Sequence, residues 1–359
     1  MLQNENLVLE ELLKYDKSNV IEKTYRFYED ALKSFENTLS AKLPENFKGI
    51  KNIFISGVGG SCIAGDLLKT YLWNKSNIPV VVNRSSSLPS FVNEETLCIF
   101  ISYSGNTRET LTCASSAIER KCKSILVTRG GKLQEFASSE NTFLVPIVTN
   151  QKMPREALGD MFFSILGILK NIKILNIDIK EVKSAIDSIE KIRDGIDIRY
   201  TANNDLFNYA KELNGKNLAI LGVTPNTETI ALRWKNQFNE NAKMMILSNS
   251  FPELTHNEIV GLMAPTTNME NYSFILVRDS KTEDKYLTPQ INFTLDFFRS
   301  LGDVKVFEQE ANTLLERQIK LIYLGDYLSL YCSLLKGIDP TPIESIDILK
   351  KQMESVNYD

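Results

Sequence analysis

Two short polar turns contain residue types that could bind a phosphate group. The sequence Gly-Val-Gly-Gly-Ser occupies residues 57–61, between a β-branched and aromatic run at 52–56 and a helical pattern. The sequence Ser-Tyr-Ser-Gly-Asn-Thr occupies residues 102–107, directly after an apolar run at 97–101. Backbone N–H groups at a helix start attract anions, and hydroxyl groups donate hydrogen bonds to phosphate oxygens. Both turns therefore predict contacts with a phosphomonoester, although tight turns and helix N-caps have similar compositions.

The first turn differs from a dinucleotide-binding turn in two respects. The G-x-G-x-x-G pattern requires a glycine at position 62, where the chain has Cys62. The acidic residue expected about 20 residues further on is replaced by Asn83 and Arg84. Arg84 leaves NADP open as a weaker alternative. Binding of a small phosphate compound is the favoured interpretation, and we predict no cofactor.

Apolar strands alternate with helical patterns along the whole chain, which predicts an α/β fold with parallel sheets. The pattern restarts in the second half, where a strand, a polar turn at 222–227 and a helix repeat the plan of the first half. We predict N-terminal helices and a first domain at 1–153, connecting helices at 154–200, and a second domain with a C-terminal tail at 201–359. The predicted strands are residues 52–56, 79–82, 97–101, 124–128, 142–148, 218–221, 243–247, 272–277 and 304–307.

Composition excludes several classes of function. The net charge of −4 over 359 residues predicts no attraction to nucleic acid, and no apolar run approaches the ~20 residues of a membrane helix. The five cysteines are scattered and the N-terminus lacks a signal peptide, so we expect a cytoplasmic protein with reduced thiols. The single histidine, His256, argues against a zinc site, because zinc sites with imidazole ligands normally use two or three histidines.

Three further segments contain residues suited to acid–base chemistry. They are PREALG at 154–159, NQFNENAK at 236–243 followed by FPELTHNE at 251–258, and IDILK at 346–350. Together with the two turns, these segments resemble the bifunctional phosphoglucose/phosphomannose isomerases, which are built from sugar isomerase (SIS) domains. The resemblance covers nearly the whole chain. It implies two SIS domains with flavodoxin-like parallel sheets, and a sugar phosphate as the ligand.

The resemblance also implies roles for individual residues. It makes Glu240 the base, His256 the acid/base that opens the sugar ring, and Arg155 the group that stabilises the enediolate. Lys350 assists ring opening, with Lys351 as the alternative if the alignment is shifted by one residue. A homodimer is implied, in which His256 reaches the active site of the neighbouring subunit. The implied phosphate-binding residues are Gly60, Ser61, Ser102, Ser104 and Thr107.

The implied reaction interconverts glucose 6-phosphate, and also mannose 6-phosphate, with fructose 6-phosphate without a metal. The residue types suit it, because imidazole exchanges protons near neutral pH, a carboxylate can move a proton between C2 and C1, and arginine stabilises negative charge. Thr341 is our candidate for a threonine that lines the sugar pocket. Two alternatives stay open: an isomerase for another phosphosugar, and a non-catalytic phosphosugar-binding regulator. The N-terminus lacks the basic recognition helix of such regulators.

Overall fold

The first half of the chain forms a parallel five-stranded sheet. The computed structural model describes residues 9–44, 46–149, 151–264, 269 and 271–354. The sheet has the strand order β2-β1-β3-β4-β5 and all its neighbouring strands are parallel. The order reverses between β1 and β3, so a ligand crevice is expected outside the carboxyl ends of these two strands. The strands are β1 Asn52–Ser56, β2 Val80–Asn83, β3 Thr96–Ile101, β4 Lys123–Thr128 and β5 Thr142–Pro146.

Helices cover both faces of this sheet and extend beyond it. Strand β3 is buried along its whole length, as expected for a central strand of a parallel sheet covered on both faces. Residues 9–13 are also helical. The helices of this half are α1 Val20–Tyr25, α2 Phe27–Leu39, α3 Gly60–Leu72, α4 Arg108–Glu119 and α5 Gly131–Glu135, with a 3₁₀ turn at Phe136–Ser138.

Two long helices connect the halves, as the sequence predicts. Helix α6 spans Leu158–Asn171 and helix α7 spans Ile179–Ile196, after a short 3₁₀ helix at Pro154–Ala157. The Asp178 carboxylate accepts a hydrogen bond from the Lys180 N–H at 2.9 Å and so caps α7.

The second half repeats the plan with a parallel four-stranded sheet in the order β7-β6-β8-β9. Its strands are β6 Asn217–Val223, β7 Ile246–Phe251, β8 Tyr272–Val277 and β9 Asp303–Phe307. Its helices are α8 Asp205–Glu212, α9 Glu228–Asn241, α10 Glu258–Leu262, α11 Leu287–Leu301, α12 Leu314–Leu335 and α13 Glu344–Glu354, with a 3₁₀ helix at Glu253–His256. The predicted class of two similar flavodoxin-like α/β units is confirmed.

One predicted strand is misplaced. The sequence predicts a strand at 243–247, but β7 begins at Ile246 and continues to Phe251. Lys243 instead has a left-handed backbone, with φ 54°, just after the end of α9. The apolar residues 244 and 245 resemble a strand start in sequence, but the chain there still connects the end of α9 to β7.

Helix α12 joins the cores of the two halves. Its tyrosines at 323, 327 and 331 recur every four residues and are fully buried. The Trp234 indole N–H of α9 donates a hydrogen bond to the Leu321 carbonyl at 2.9 Å. Gly325 permits this contact, because a Cβ there would lie 2.1 Å from the indole nitrogen. One hydrophobic cluster contains residues from both sheets, for example Ile53 and Ile275.

Candidate active site

The first glycine-rich turn follows β1 and forms the start of α3. Gly59 has φ +59°, a conformation that glycine adopts without the usual steric cost. Helix α3 begins at Gly60 and is 13 residues long, so its first N–H groups are available to an anion at this sheet edge. The side chain of Ser61 is buried, and its Oγ accepts a hydrogen bond from the Tyr103 N–H at 3.3 Å. Ser61 therefore links the first turn to the second.

The second turn follows β3 and brings its hydroxyl groups together. The buried Ser102 hydroxyl donates a hydrogen bond to the Thr107 Oγ1 at 2.9 Å. The Ser104 side chain is exposed, and its Oγ accepts from the Asn106 N–H at 3.2 Å. The five residues predicted to bind phosphate thus lie on two turns that touch each other at the carboxyl edge of the first sheet.

A third turn, which sequence reasoning did not identify, supports the second one. Gly105 has φ +69°, and a Cβ at this position would lie 1.7 Å from the Gly130 carbonyl oxygen. The Asn106 side-chain oxygen accepts a hydrogen bond from the Lys132 N–H at 3.1 Å. The turn after β4 therefore packs directly against the backbone of the predicted phosphate-binding turn.

Arg155 lies beside the first turn and is almost completely buried, with 3% of its surface exposed. It stands in the 3₁₀ helix Pro154–Ala157. A Cβ added to Gly60 would lie 3.1 Å from the backbone nitrogen of Arg155, so the two backbones are in close contact. The guanidinium Nη2 donates to the carbonyls of Pro340 and Thr341 at 2.8 and 3.1 Å. These contacts attach residues 340 and 341 of the C-terminal segment to Arg155, whose backbone packs against the first turn.

Arg155 also forms an ion pair with Glu240, near the C-terminal end of α9. The distance from Arg155 Nη1 to Glu240 Oε2 is 2.9 Å, and a quarter of the Glu240 side chain is exposed. The structure therefore brings together two of the four predicted catalytic residues, and the backbone of one of them, Arg155, packs against the glycine-rich turn. An open pocket of about 650 Å³ borders this carboxylate. Its lining includes Asn236, Asn239, Glu240, Lys243, Asp339 and Glu344.

Lys243 and Thr341 occupy the same region. The Lys243 Nζ donates hydrogen bonds to the carbonyls of Glu240 and Pro340, the latter at 3.1 Å. Burial, and then the charge of Arg155, lower the pKa of Lys243 below its usual value. The Thr341 hydroxyl is buried and has no hydrogen-bond partner among the described residues. Lys243 belongs to the NENAK segment, but the sequence alone predicts no role for it.

His256 and Lys350 are exposed side chains on two other elements of the chain. His256 stands at the end of the 3₁₀ helix after β7, and Lys350 lies on α13. Across the described part of the chain, neither side chain forms a hydrogen bond or ion pair with Arg155 or Glu240. The site seen in a single chain therefore contains the carboxylate and the guanidinium, without the imidazole.

Residues 9–354, apart from the gaps given above, contain no group of three or more His, Cys, Asp or Glu side chains arranged to hold a metal ion. No helix in the same ranges has both the length and the apolar character needed to cross a membrane.

Comparison with known proteins assigns both halves. A model of the bacterial phospho-glucose isomerase C-terminal SIS domain matches residues 202–353, and a SIS domain model matches residues 47–153. The chain is 36% identical to a bifunctional phosphoglucose/phosphomannose isomerase of Caldicellulosiruptor bescii, over 94% of this chain and 99% of that protein. The chain belongs to the bifunctional phosphoglucose/phosphomannose isomerase family. A second member, from Aquifex aeolicus, is 31% identical over 93% of this chain and 99% of its own length.

The fold is shared more widely than this family. The C-terminal domain of glucosamine-fructose-6-phosphate aminotransferase from Francisella tularensis superposes with a TM-score of 0.68 at 15% identity, covering 90% of this chain and 98% of that one. At this identity the likeness concerns the paired SIS fold alone.

Proposed function

We propose that this chain interconverts fructose 6-phosphate with glucose 6-phosphate and mannose 6-phosphate, without a metal ion. The observation that supports it best is the Arg155–Glu240 pair, 2.9 Å apart, with Arg155 packed against the glycine-rich turn. The two bifunctional phosphoglucose/phosphomannose isomerases compared above align over 94% and 93% of this chain. The phosphate would bind at the two turns, which places the other end of the sugar near Glu240.

The proposed reaction moves one proton between neighbouring carbons. Glu240 takes the C2 proton of the open-chain aldose, and the electron pair of that bond forms the C1–C2 double bond of a cis-enediolate. The negative charge develops on an oxygen that Arg155 can stabilise, because arginine stays charged and presents fixed N–H donors. Glu240 then returns the proton to C1, while the proton of the C2 hydroxyl is transferred to the C1 oxygen, so that C2 becomes the carbonyl carbon of the ketose. The anchored phosphate orients C1 and C2, so part of its binding energy lowers the barrier.

Glucose and mannose phosphates differ only in configuration at C2. A single carboxylate can accept both if the open-chain sugar rotates about its C2–C3 bond before the proton is removed. The open pocket of about 650 Å³ beside Glu240 is consistent with such room. Thr341, with its buried and unpartnered hydroxyl, is our candidate for a residue that contacts the sugar there.

We further propose that ring opening uses His256 of the partner subunit in a homodimer. His256 is exposed, and Val260 and Met263 close to it are 73% and 43% exposed. Helix α13 exposes Ile348 and Leu349 at 58% and 56%. Apolar surface of this kind favours association with another chain. Lys350 on the same helix would then assist ring opening beside that imidazole.

A coupled assay tests the proposed reaction. The purified chain, supplied with fructose 6-phosphate in the presence of EDTA and without nucleotide, is expected to produce both glucose 6-phosphate and mannose 6-phosphate. Turnover that disappears on metal removal and returns on metal addition contradicts a metal-independent reaction. Tight binding of fructose 6-phosphate without any product favours the regulator alternative. Turnover of a different phosphosugar only supports the other isomerase alternative.

A further inference from the structure

Asn241 contacts the Arg155 guanidinium at Nε, whereas Glu240 contacts it at Nη1. Asn241 is the last residue of α9 and is 2% exposed. Its Oδ1 accepts a hydrogen bond from the Arg155 Nε at 2.8 Å, and its Nδ2 donates to the Ser329 Oγ of α12 at 2.9 Å. The Ser329 hydroxyl donates in turn to the Asp326 carbonyl at 2.8 Å. This chain of donors fixes the orientation of the amide, with its oxygen toward Arg155.

Among the described residues, one charged group, the Glu240 carboxylate, accepts a hydrogen bond from Arg155. Apart from the Glu240 carboxylate, its guanidinium donates only to neutral oxygen atoms among the described residues: the Asn241 amide and the carbonyls of Pro340 and Thr341. A second carboxylate, Asp326, lies close by on α12, but it accepts its hydrogen bonds from Arg233 and Gln237.

Arg233 neutralises this second carboxylate. Its guanidinium contacts both Asp326 oxygens, at 3.0 and 2.6 Å, and also donates to the Arg155 carbonyl at 3.0 Å. The Gln237 amide donates to the same carboxylate at 2.8 Å. The buried network therefore holds the backbone and the side chain of Arg155 without placing a further negative charge on its guanidinium.

We infer that Asn241 is a positioning residue that fixes the Arg155 guanidinium and, being neutral, preserves its positive charge for the enediolate. This inference rests on the proposed function. An aspartate of the same shape could also accept from Arg155, and would form a stronger hydrogen bond because it is charged. It would, however, place a second carboxylate on a guanidinium that already pairs with Glu240, and so leave less positive charge for the enediolate. The neutral amide of Asn241 orients the guanidinium without adding a negative charge beside it.

The substitution Asn241→Asp separates charge from shape. We expect kcat for fructose 6-phosphate to fall by about 10- to 100-fold, somewhat less than the loss of a whole oxyanion donor, while KM changes little. The acid limb of the pH–rate profile is expected to move to higher pH, because a second carboxylate opposes ionisation of Glu240. The charged groups already facing this pocket are Arg155, Lys243, Asp339 and Glu344.

Asn204→Asp is the matched control. Asn204 is also buried, and it caps α8 by accepting from the Phe207 N–H at 2.8 Å, which aspartate can also do. Its Nδ2 donates to the Thr201 carbonyl at 2.8 Å, a hydrogen bond that aspartate loses, just as Asn241→Asp loses the amide donor to Ser329. This variant is expected to keep the wild-type kcat and pH profile. Circular dichroism and thermal melting of both variants show whether they fold.

A wild-type kcat and an unmoved acid limb in folded Asn241→Asp overturn the inference. If that variant does not fold, Ser329→Ala decides: it removes the partner of the amide N–H and adds no charge, so kcat should fall several-fold with KM unchanged, roughly the loss of one neutral hydrogen bond. A wild-type kcat in Ser329→Ala then overturns the inference. Absence of isomerase turnover in the wild-type chain would instead contradict the proposed function itself.

Discussion

The carboxylate at 240 carries the central step of the proposed chemistry, so its removal is the most direct test at the residue scale. In Glu240→Gln the amide keeps the size of the side chain but cannot accept the C2 proton. We expect kcat to fall by about 10²- to 10⁴-fold, the range of a general base. Binding of fructose 6-phosphate, measured by calorimetry, should be largely retained, because the proposed phosphate contacts lie on other residues.

The exposed Glu212 of α8 provides the control for this substitution. Glu212→Gln removes a carboxylate of the same kind, away from the pocket, and should leave both turnover and binding unchanged. Solvent-deuterium incorporation at C2 adds a second readout, since exchange should stop in Glu240→Gln. Normal exchange in that variant would mean that another group is the base.

Sequence motifs identified some site residues and missed others for a physical reason. Arg155 and Glu240 were predicted, and the structure places them 2.9 Å apart. Lys243 and Asn241 lie in the same segment, 236–243, as Glu240. Their hydrogen-bond partners, however, include residues from distant parts of the sequence. Pro340, almost a hundred positions later, supplies the carbonyl that Lys243 and Arg155 share. Such long-range contacts leave no periodic pattern in the sequence. The predicted roles of His256 and Lys350 stay predictions.

At the scale of elements, the phosphate-binding turn depends on its contact with the turn after β4. Gly105→Ala would add a Cβ 1.7 Å from the Gly130 carbonyl oxygen, at a residue with φ +69°. The two turns must then separate, at a cost of roughly 2–5 kcal/mol from overpacking and backbone strain. We expect a lower melting temperature and an increase in KM of about tenfold, the effect of losing one hydrogen bond to a charged group.

Gly49→Ala is the control, because it introduces the backbone strain of a positive φ without a steric clash. Gly49 has a similar φ, +71°, but among the described residues, its two chain neighbours aside, no heavy atom lies within 4 Å of the position of its Cβ. This variant should lose only about 1–2 kcal/mol of stability and keep its KM. An equal KM in both variants would show that the interlocked turns do not shape the ligand site.

The elements themselves were largely predictable from sequence, because buried parallel strands form short apolar runs between helical patterns. Strand Tyr272–Val277 agrees residue for residue, and the two connecting helices break where expected. The error at β7 has a local cause. Lys243 takes a left-handed conformation that nothing in its residue type requires, so the chain leaves α9 later than the apolar pattern suggests. The predicted domain boundaries at 153 and 200 stay predictions.

At the scale of the whole molecule, the proposed sharing of His256 between subunits predicts complementation. Glu240→Gln and His256→Ala should each be inactive as homodimers. After co-expression, mixed dimers contain one site with both intact residues. If subunits pair at random, about a quarter of the wild-type activity should return, since half of the dimers are mixed and each has one complete site.

A mixture of Glu240→Gln with Arg155→Ala is the matched negative control, because these two residues contact each other within one chain. Every site in such a mixture lacks one of them, so activity should not return. Failure of the first mixture to recover activity, with mixed dimers demonstrated by mass spectrometry, would place His256 and Glu240 in the same subunit's site.

The hydrophobic cluster that runs through both sheets limits how the chain can be divided. Ile53 and Leu97 of the first sheet share it with Leu218 and Ile275 of the second, and buried residues of α12 belong to the same cluster. A fragment containing only one repeat would expose the apolar surface that the other repeat normally covers. The two repeats are thus not interchangeable modules for grafting or recombination, and their melting should be a single cooperative event despite their separate sheets.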